Sequence, residues 1–324
     1  MPTVDVIVPL HNKAPFVEQA LRSALGQTVQ VRQVIVADDG SSDGGREHVA
    51  RMATAEPRLV LINGPHGGPG ASRNRAIARS SADFVAMLDA DDFWAPDKLA
   101  RQLPLFERAP EVGLVHCGCR LVDENGAPLR DQADVLPPAM RGNVFDEVRL
   151  GTYAVTGSAS AVVVRRDVLM RAGPFDEVLR FGEDWDLWAR IAQHAHFDHV
   201  SNPLAFIRMV SSTHSRTIPP EVAVMVSLRI IDRWRDDEAF MRLAVPVMRE
   251  RIRREQMRML GRPRLLLSGF PRLLRDSGTV LGPRLYPTNV EYLLALVHLL
   301  PRGAVAAGRR ARLQVRRLVA GVMR

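Results

Sequence analysis

The sequence predicts an α/β fold with a mainly parallel sheet. Three observations carry that expectation: almost wholly apolar runs of strand length, amphipathic stretches of helix length between them, and connections of only a few residues. Val4–Leu10 reads as a buried strand, although Asp5 interrupts its apolar run. "APFVEQALRSALGQ" then reads as a helix. Pro15 suits its first turn, Val17, Leu21, Ala24 and Leu25 fall on one face, and Gly26 suits its end. "QVIVAD" is the second strand, followed by a Gly/Ser turn and a helix from about Asp43 to Ala53. "RLVLIN" is the third strand, "GASRNRAIARS" the third helix, and Phe84–Leu88 the fourth strand.

The pattern changes after about Pro110. "VGLVHCGCRLVDENG" and "GSASAVVVRR" read as longer extended segments among Gly- and Pro-rich loops, and Asp123–Asn143 reads as a mobile loop. From about Pro219 the sequence is mostly of helical character and rich in arginine. No internal repeat is visible.

Composition narrows the function classes. The chain has 324 residues, 46% hydrophobic and 25% charged, which is ordinary for a globular protein. Its two cysteines, Cys117 and Cys119, lie one residue apart and make neither a disulfide framework nor a zinc site, so they read as reduced strand residues in a reducing cytoplasm. "MPTVDVIVPL" has no basic segment before its apolar run and does not read as a secretory signal. No run approaches the ~18–20 apolar residues of a membrane span. The net charge of +8 is unevenly placed, with carboxylates concentrated in the first two thirds and arginines in the last.

In open parallel sheets, ligands bind beyond the carboxyl ends of the strands. That rule gathers four clusters at one rim: Pro9 to Asn12, Asp38 to Ser41, the loop around His66 to Arg73, and Asp89 to Asp92. The last cluster sets three carboxylates within four residues at the end of a buried strand. Two such charges ~5 Å apart repel by ~3 kcal/mol at an effective dielectric near 20, so a cation, a basic cluster or solvent must compensate. A calcium loop is excluded. Counting from Asp89 puts Trp94 where the sixth-position glycine belongs, and counting from Asp39 puts Ala50 where the twelfth-position glutamate belongs. The turn "PLHNKAPF" has no glycine, which excludes a dinucleotide fingerprint, and no phosphate-binding G-x-x-x-x-G-K-[ST] loop exists. What remains is a rim of carboxylates able to hold a divalent cation, beside Lys13, His66 and Arg73. Mg²⁺ commonly takes one or two carboxylates plus substrate phosphates, and it would stabilise a leaving diphosphate.

Four segments in series, "VIVPLHNKAPFVEQALRSALGQT", "VIVADDGSSDGG", "GGPGASRNRAIARSSADFVAMLDADDFWAPDKL" and "FGEDWDLWAR", resemble the inverting glycosyltransferases of family 2 over roughly residues 3 to 215. The resemblance implies the GT-A fold: a catalytic domain over 1–218, with a nucleotide-sugar half to about 110 and an acceptor half from about 111, then a basic helical region over 219–324. It implies that Pro9, His11 and Asn12 line the nucleotide pocket, with His11 where an aromatic ring often stacks. Asp39 would hydrogen-bond the base, and Arg73 would approach base or phosphate. Asp89 and Asp91 form the D-x-D signature, Asp89 nearer ribose or sugar and Asp91 on Mn²⁺ or Mg²⁺, with Asp92 in support. In "IRMVSSTHSRT", His214 best fits a later contact near diphosphate or metal.

"FGEDWDLW" places Glu183, Asp184 and Asp186 just after Gly182, before the apolar stretch Leu187–Ile191. Trp185 and Trp188 can shield a carboxylate and raise its pKa. The resemblance favours Asp184 as general base, although Glu183 can exchange roles with it. The implied reaction moves a sugar from a nucleotide-diphosphate donor, UDP first, to a hydroxyl of a glycan or lipid-linked acceptor in cell-surface polysaccharide or glycoconjugate synthesis. A nucleotidyltransferase on a similar scaffold is the rival enzyme. A nucleic-acid-binding protein is the rival suggested by the Arg-rich tail, although few aromatics interleave there and no nucleic acid is expected. In "RRARLQVRRLVAGVMR", Val315, Leu318, Val319 and Val322 share one helical face and Arg309, Arg312 and Arg316 largely another. That pattern suits an anionic membrane surface, or packing on protein, including a second copy in a homo-oligomer. The expected place is cytoplasmic, peripheral on the inner membrane face.

Overall fold

Strand β1, Val4–Leu10, is buried along nearly its whole length because helices cover both faces of the sheet, which is why the run is almost continuously apolar. The exception, Asp5, is fully buried and tied to the Arg32 guanidinium and to the Ser80 hydroxyl, which donates at 2.7 Å. In this computed structural model, residues 2–260 are described, apart from 131, 133, 154, 157, 180 and 211–219. His214 and the segment beyond 260 lie outside the described residues.

Helix α1 (Ala14–Leu25) leads to β2 (Gln33–Asp38), α2 (Gly45–Ala55), β3 (Leu59–Asn63), α3 (Pro69–Arg79) and β4 (Phe84–Met87). Strands β2, β3 and β4 join β1 in parallel, in the order β3-β2-β1-β4. Beyond them come β5 (Phe93–Trp94), α4 (Lys98–Arg108), the long β6 (Val112–Val122), α5 (Phe145–Leu150), β7 (Val163–Arg165), α6 (Arg166–Ala172), α7 (Glu183–Ala192) and β8 (His196–Arg208). They extend the sheet as β4-β7-β6-β8-β5. Strand β7 runs antiparallel to both β4 and β6, β6 and β8 are parallel, and β5 is antiparallel to β8. The sheet is therefore mixed, with its parallel half first. The core gathers the inward side chains of β1, β2, β4 and β6 against Val17, Leu21, Leu99 and Phe106.

Two extended readings need correction. In "GSASAVVVRR", residues Ala159–Ala161 form a 3₁₀ turn and Arg166 already opens α6, so only Val163–Arg165 is strand. Asp123 ends β6 in a turn, its carboxylate accepting the Asn125 and Ala127 amides at 2.9 Å each. The chain then returns along β6, where Val135 and Cys119 exchange backbone hydrogen bonds and Arg120 pairs with Asp134 at 2.7 Å. Both cysteines are buried and free.

The chain divides into two compact units, Met1–Ile218 and Pro219–Arg324. In the second, α8 (Pro220–Asp232) and α9 (Glu238–Leu260) bury Leu228, Ile231, Phe240 and Met248, and Trp234 meets Phe240 edge-on.

Candidate active site

The strand ends of β1, β2 and β4, the start of α3 and the start of α7 enclose a cleft of about 720 Å³. Pro9, His11, Asn12, Lys13, Asp39, Arg73, Asp89, Asp91, Glu183 and Asp184 all line it. The geometry answers the question raised by three carboxylates in four residues, because each has its own compensation. Arg73, 5% exposed, donates to Asp89 Oδ1 and to Glu183 Oε1, both at 2.7 Å. Lys13 Nζ lies 2.6 Å from Asp91 Oδ2. Asp92 is buried and accepts the Ser160 hydroxyl at 2.6 Å and the Arg208 amide at 2.9 Å. Burial, then the charges of Asp91 and Asp89, raise the Asp92 carboxyl well above its usual range. Burial opposes the charge on Arg73, but Asp89 and Glu183 outweigh it and raise its pKa.

Local structure fixes these positions. Asn12 takes a left-handed φ of 51°, accepts the Ser42 amide on Oδ1 at 2.9 Å and donates its own amide to Ser41 Oγ at 3.1 Å. This pins the β1–α1 turn to the β2–α2 turn. Gly68 caps α3 with φ 88°, a value costly for any residue with a Cβ, and so turns its amide toward Asp39. Asp39 Oδ2 accepts that amide at 2.7 Å, while Oδ1 accepts the Gly67 amide at 2.9 Å and Arg75 at 2.7 Å. Burial pushes the Asp39 carboxyl up, but Gly67, Arg75, Gly68 and Ser72 outweigh it and hold it below the usual range. The His11 and His66 rings lie 4.6 Å apart above this loop, each Nδ1 3.1 Å from the Asp39 carbonyl oxygen.

Two donor sets can be considered for a metal. His11, Asp39 and His66 bring ligand atoms within 4.8 Å of one another, but both Asp39 carboxylate oxygens already serve amides and Arg75. Asp89 and Asp91 fit a hard divalent cation better. They offer oxygen donors, they remain 24% and 14% exposed in the cleft, and the Lys13 ammonium already stands on Asp91 as a surrogate cation.

At the other wall, Gly182 in the left-handed region starts α7, and Glu183 and Asp184 follow in its first turn. Glu183 is committed to Arg73. Asp184 accepts the Trp185 amide at 2.7 Å, and its carboxyl is pushed up to about 6, first by burial and then by the charge of Glu183. Trp188 is buried against Phe175, and Trp185 Nε1 donates to the Val148 carbonyl at 2.6 Å.

The model of glycosyl transferase family 2 matches residues 5–172, just over half of the chain. The chain belongs to glycosyl transferase family 2. An uncharacterized glycosyltransferase of Nostoc sp. is 29% identical over 188 residues, covering 57% of this chain and 56% of that relative. The chondroitin synthase of Pasteurella multocida is 23% identical over 210 residues, covering 65% of this chain and 21% of the synthase. The chain thus spans between about half and a fifth of the length of these relatives. Among solved structures, S. aureus TarS 1–349 in complex with UDP superposes with a TM-score of 0.62 at 17% identity, covering 87% of this chain and 82% of that one. The mannosyltransferase PcManGT of Pyrobaculum calidifontis, in complex with GDP-Man and Mn²⁺, gives 0.54 at 20% identity, covering 98% and 84%. The fold is GT-A.

In this family member the site also rests on two residues that sequence reasoning did not single out, Arg208 in the cleft lining and Ser160 buried behind it. Arg208 closes β8, 2% exposed, and its Nε donates to the Asp91 carbonyl at 2.8 Å. Ser160 Oγ accepts the Asp89 amide at 3.0 Å while donating to Asp92. Both fall inside segments quoted above, but nothing local marks them, because their partners lie 68 to 117 residues away.

Proposed function

We propose that this family 2 protein transfers a sugar, with inversion, from a nucleotide-diphosphate donor to a hydroxyl acceptor, and that Asp184 is the general base. One observation carries the reading: a carboxyl pushed up to about 6 lines the same cleft as the Asp89/Asp91 pair, while its neighbour Glu183 is held by Arg73. A base with a pKa near the working pH combines a useful deprotonated fraction with real proton affinity. Asp184 takes the acceptor hydroxyl proton as the oxygen attacks the face opposite the leaving diphosphate. Arg73 holds Glu183 and Asp89 in place, one on each side of its guanidinium. Pro9, His11, Asn12 and Asp39 bound the nucleoside end.

Asp89 and Asp91 would hold Mn²⁺ or Mg²⁺, whose charge offsets that of the departing diphosphate. UDP is the first donor to test, supported by TarS having been solved with UDP and with UDP-GlcNAc; GDP-Man in the mannosyltransferase makes GDP-sugars the second. A glycan or lipid-linked acceptor in surface polysaccharide synthesis is supported by the matches to the chondroitin and hyaluronan synthases of Pasteurella multocida. His214 remains the sequence's candidate for a further contact near the diphosphate. The basic tail supports peripheral association with an anionic membrane surface; among the described residues no helix is long and apolar enough to cross a membrane.

The test is a screen of UDP- and GDP-sugars with Mn²⁺ or Mg²⁺, read as nucleoside diphosphate release, with a nucleic-acid mobility-shift assay beside it. Release from one donor class with no shift is the expected outcome. Pyrophosphate release from a nucleoside triphosphate and a sugar phosphate would instead identify a nucleotidyltransferase, and a shift without turnover a nucleic-acid binder.

A further inference from the structure

Among the described residues, three cations stand at the Asp89–Asp92 end of the cleft, and they differ in how they are held. Arg73 is buried and fixed between Asp89 and Glu183. Arg208 is buried, donates to the carbonyls of Asp91 and Asp123, and lies over the Phe16 and Phe93 rings. Lys13 is different. Its side chain is 23% exposed, and its ammonium pairs with the single carboxylate of Asp91 at 2.6 Å. Its backbone is anchored, because its carbonyl accepts the Phe16 and Val17 amides at 3.0 Å each, so only the four-carbon side chain is free to swing. An ammonium on such a stem is a point charge that relocates readily, unlike a guanidinium locked in a fork.

We propose that Lys13 couples cation binding to nucleotide binding: it neutralises Asp91 while the cleft is empty, and it moves onto the diphosphate when a divalent cation takes its place. The inference rests on the nucleotide-sugar reading of the cleft. A divalent cation approaching Asp91 must displace the ammonium, so Lys13 weakens cation binding by the nucleotide-free protein. Once displaced, the ammonium is a spare positive charge in the cleft, and a bound diphosphate rewards it there. Cation and nucleotide then favour each other, and the same coupling factor must appear whichever is added first.

The experiment is calorimetry of Mn²⁺ binding with and without UDP, and of UDP binding with and without Mn²⁺, on wild type and Lys13→Met, with thermal melting as a check on folding. Lys13→Met is expected to bind Mn²⁺ alone several-fold more tightly. It is also expected to lose roughly fivefold or more of the mutual enhancement between Mn²⁺ and UDP, a factor at the low end of ordinary couplings. If wild type binds both ligands but the variant matches it in Mn²⁺ affinity without UDP, or in the size of the enhancement, the role of Lys13 is overturned while the nucleotide reading stands. If wild type binds neither UDP nor GDP with any cation, the nucleotide reading itself fails, and this inference with it.

Discussion

The Arg73 guanidinium holds Asp89 and Glu183 at 2.7 Å each, while Asp184, one residue further on, accepts the Trp185 amide. Two adjacent carboxylates therefore have opposite surroundings, Glu183 in an ion pair and Asp184 with its pKa raised by burial. Asp184→Asn is expected to leave nucleotide binding intact and to lower turnover by ~10² to 10⁴-fold, the usual loss of general-base catalysis. The pH dependence follows from the sign of the shift. A base works deprotonated, so kcat/KM should fall as pH drops through about 6, and that limb should vanish in the variant. Stability should move the other way. A carboxyl whose pKa is raised on folding is destabilising when ionised, so stability falls as pH rises from the ordinary aspartate range through about 6. Asp184→Asn should therefore melt higher than wild type at pH 7. A variant with near wild-type turnover on its acceptor would hand the role to Glu183 or Asp186.

At the scale of elements, the loop between α5 and β7 carries the contacts that steady the D-x-D end of β4, and it is clasped to β6 through His116. Thr156 donates its hydroxyl to the Cys117 carbonyl at 2.6 Å. His116 Nδ1 lies 2.9 Å from that hydroxyl oxygen and accepts the Thr156 amide at 3.4 Å, and Nε2 lies 2.7 Å from the Tyr153 hydroxyl. The chain of bonds needs a neutral ring. Burial, then His199 and Arg141, push the His116 pKa down to about 3. The unfolded chain takes up a proton below its ordinary pKa of ~6.5 that the folded chain refuses, so stability falls as pH drops from there toward 3, by up to ~1.4 kcal/mol per unit. His116→Phe should flatten that slope in urea unfolding between pH 6 and 5. It should also cost ~1–3 kcal/mol at pH 7, where it leaves the Tyr153 hydroxyl without its imidazole partner. A slope equal to that of wild type would place the acid sensitivity elsewhere. None of this clasp is legible in the sequence, because His116 meets residues 37 and 40 positions away. The strands were legible for the opposite reason. Residues of β1 and β2 are buried on both faces, so composition alone marks their ends at Val4–Leu10 and Gln33–Asp38. Helix α2 begins at Gly45, two residues later than read, because Asp43 spends its carboxylate on the Ala14 and Gly45 amides ahead of the helix. The rim clusters were legible because a parallel sheet sends its strand ends to one side. Which cation meets which carboxylate was not, since Arg73 reaches 110 residues along the chain to Glu183.

Across the whole molecule, charge is split along the chain. Residues 261–324 hold twelve arginines against Asp276 and Glu291, so the net charge of +8 comes from this stretch and the first 260 residues are slightly acidic. On the proposed function, the acidic cleft would have no use for that excess, whereas a lipid-linked acceptor would be met at an anionic surface. Each arginine near such a surface contributes ~1 kcal/mol, falling off within a Debye length of about 8–10 Å. Neutralising Arg309, Arg312 and Arg316 to glutamine in the full chain should therefore weaken association by roughly 100-fold, three such contributions at ~1.4 kcal/mol per tenfold. The measurement is co-sedimentation with phosphatidylglycerol vesicles at low salt, repeated at high salt and with neutral phosphatidylcholine vesicles. Wild type should pellet with the anionic vesicles alone and be released by salt, while the triple variant should stay in solution and retain nucleoside diphosphate release from a soluble donor. Salt-resistant pelleting of both proteins on neutral vesicles would mean that apolar runs such as "YLLALVHLL", not the arginines, make the contact. If neither protein pellets under any condition, the basic stretch meets protein rather than lipid, and light scattering of wild type against the variant would then read whether the partner is a second copy of the chain.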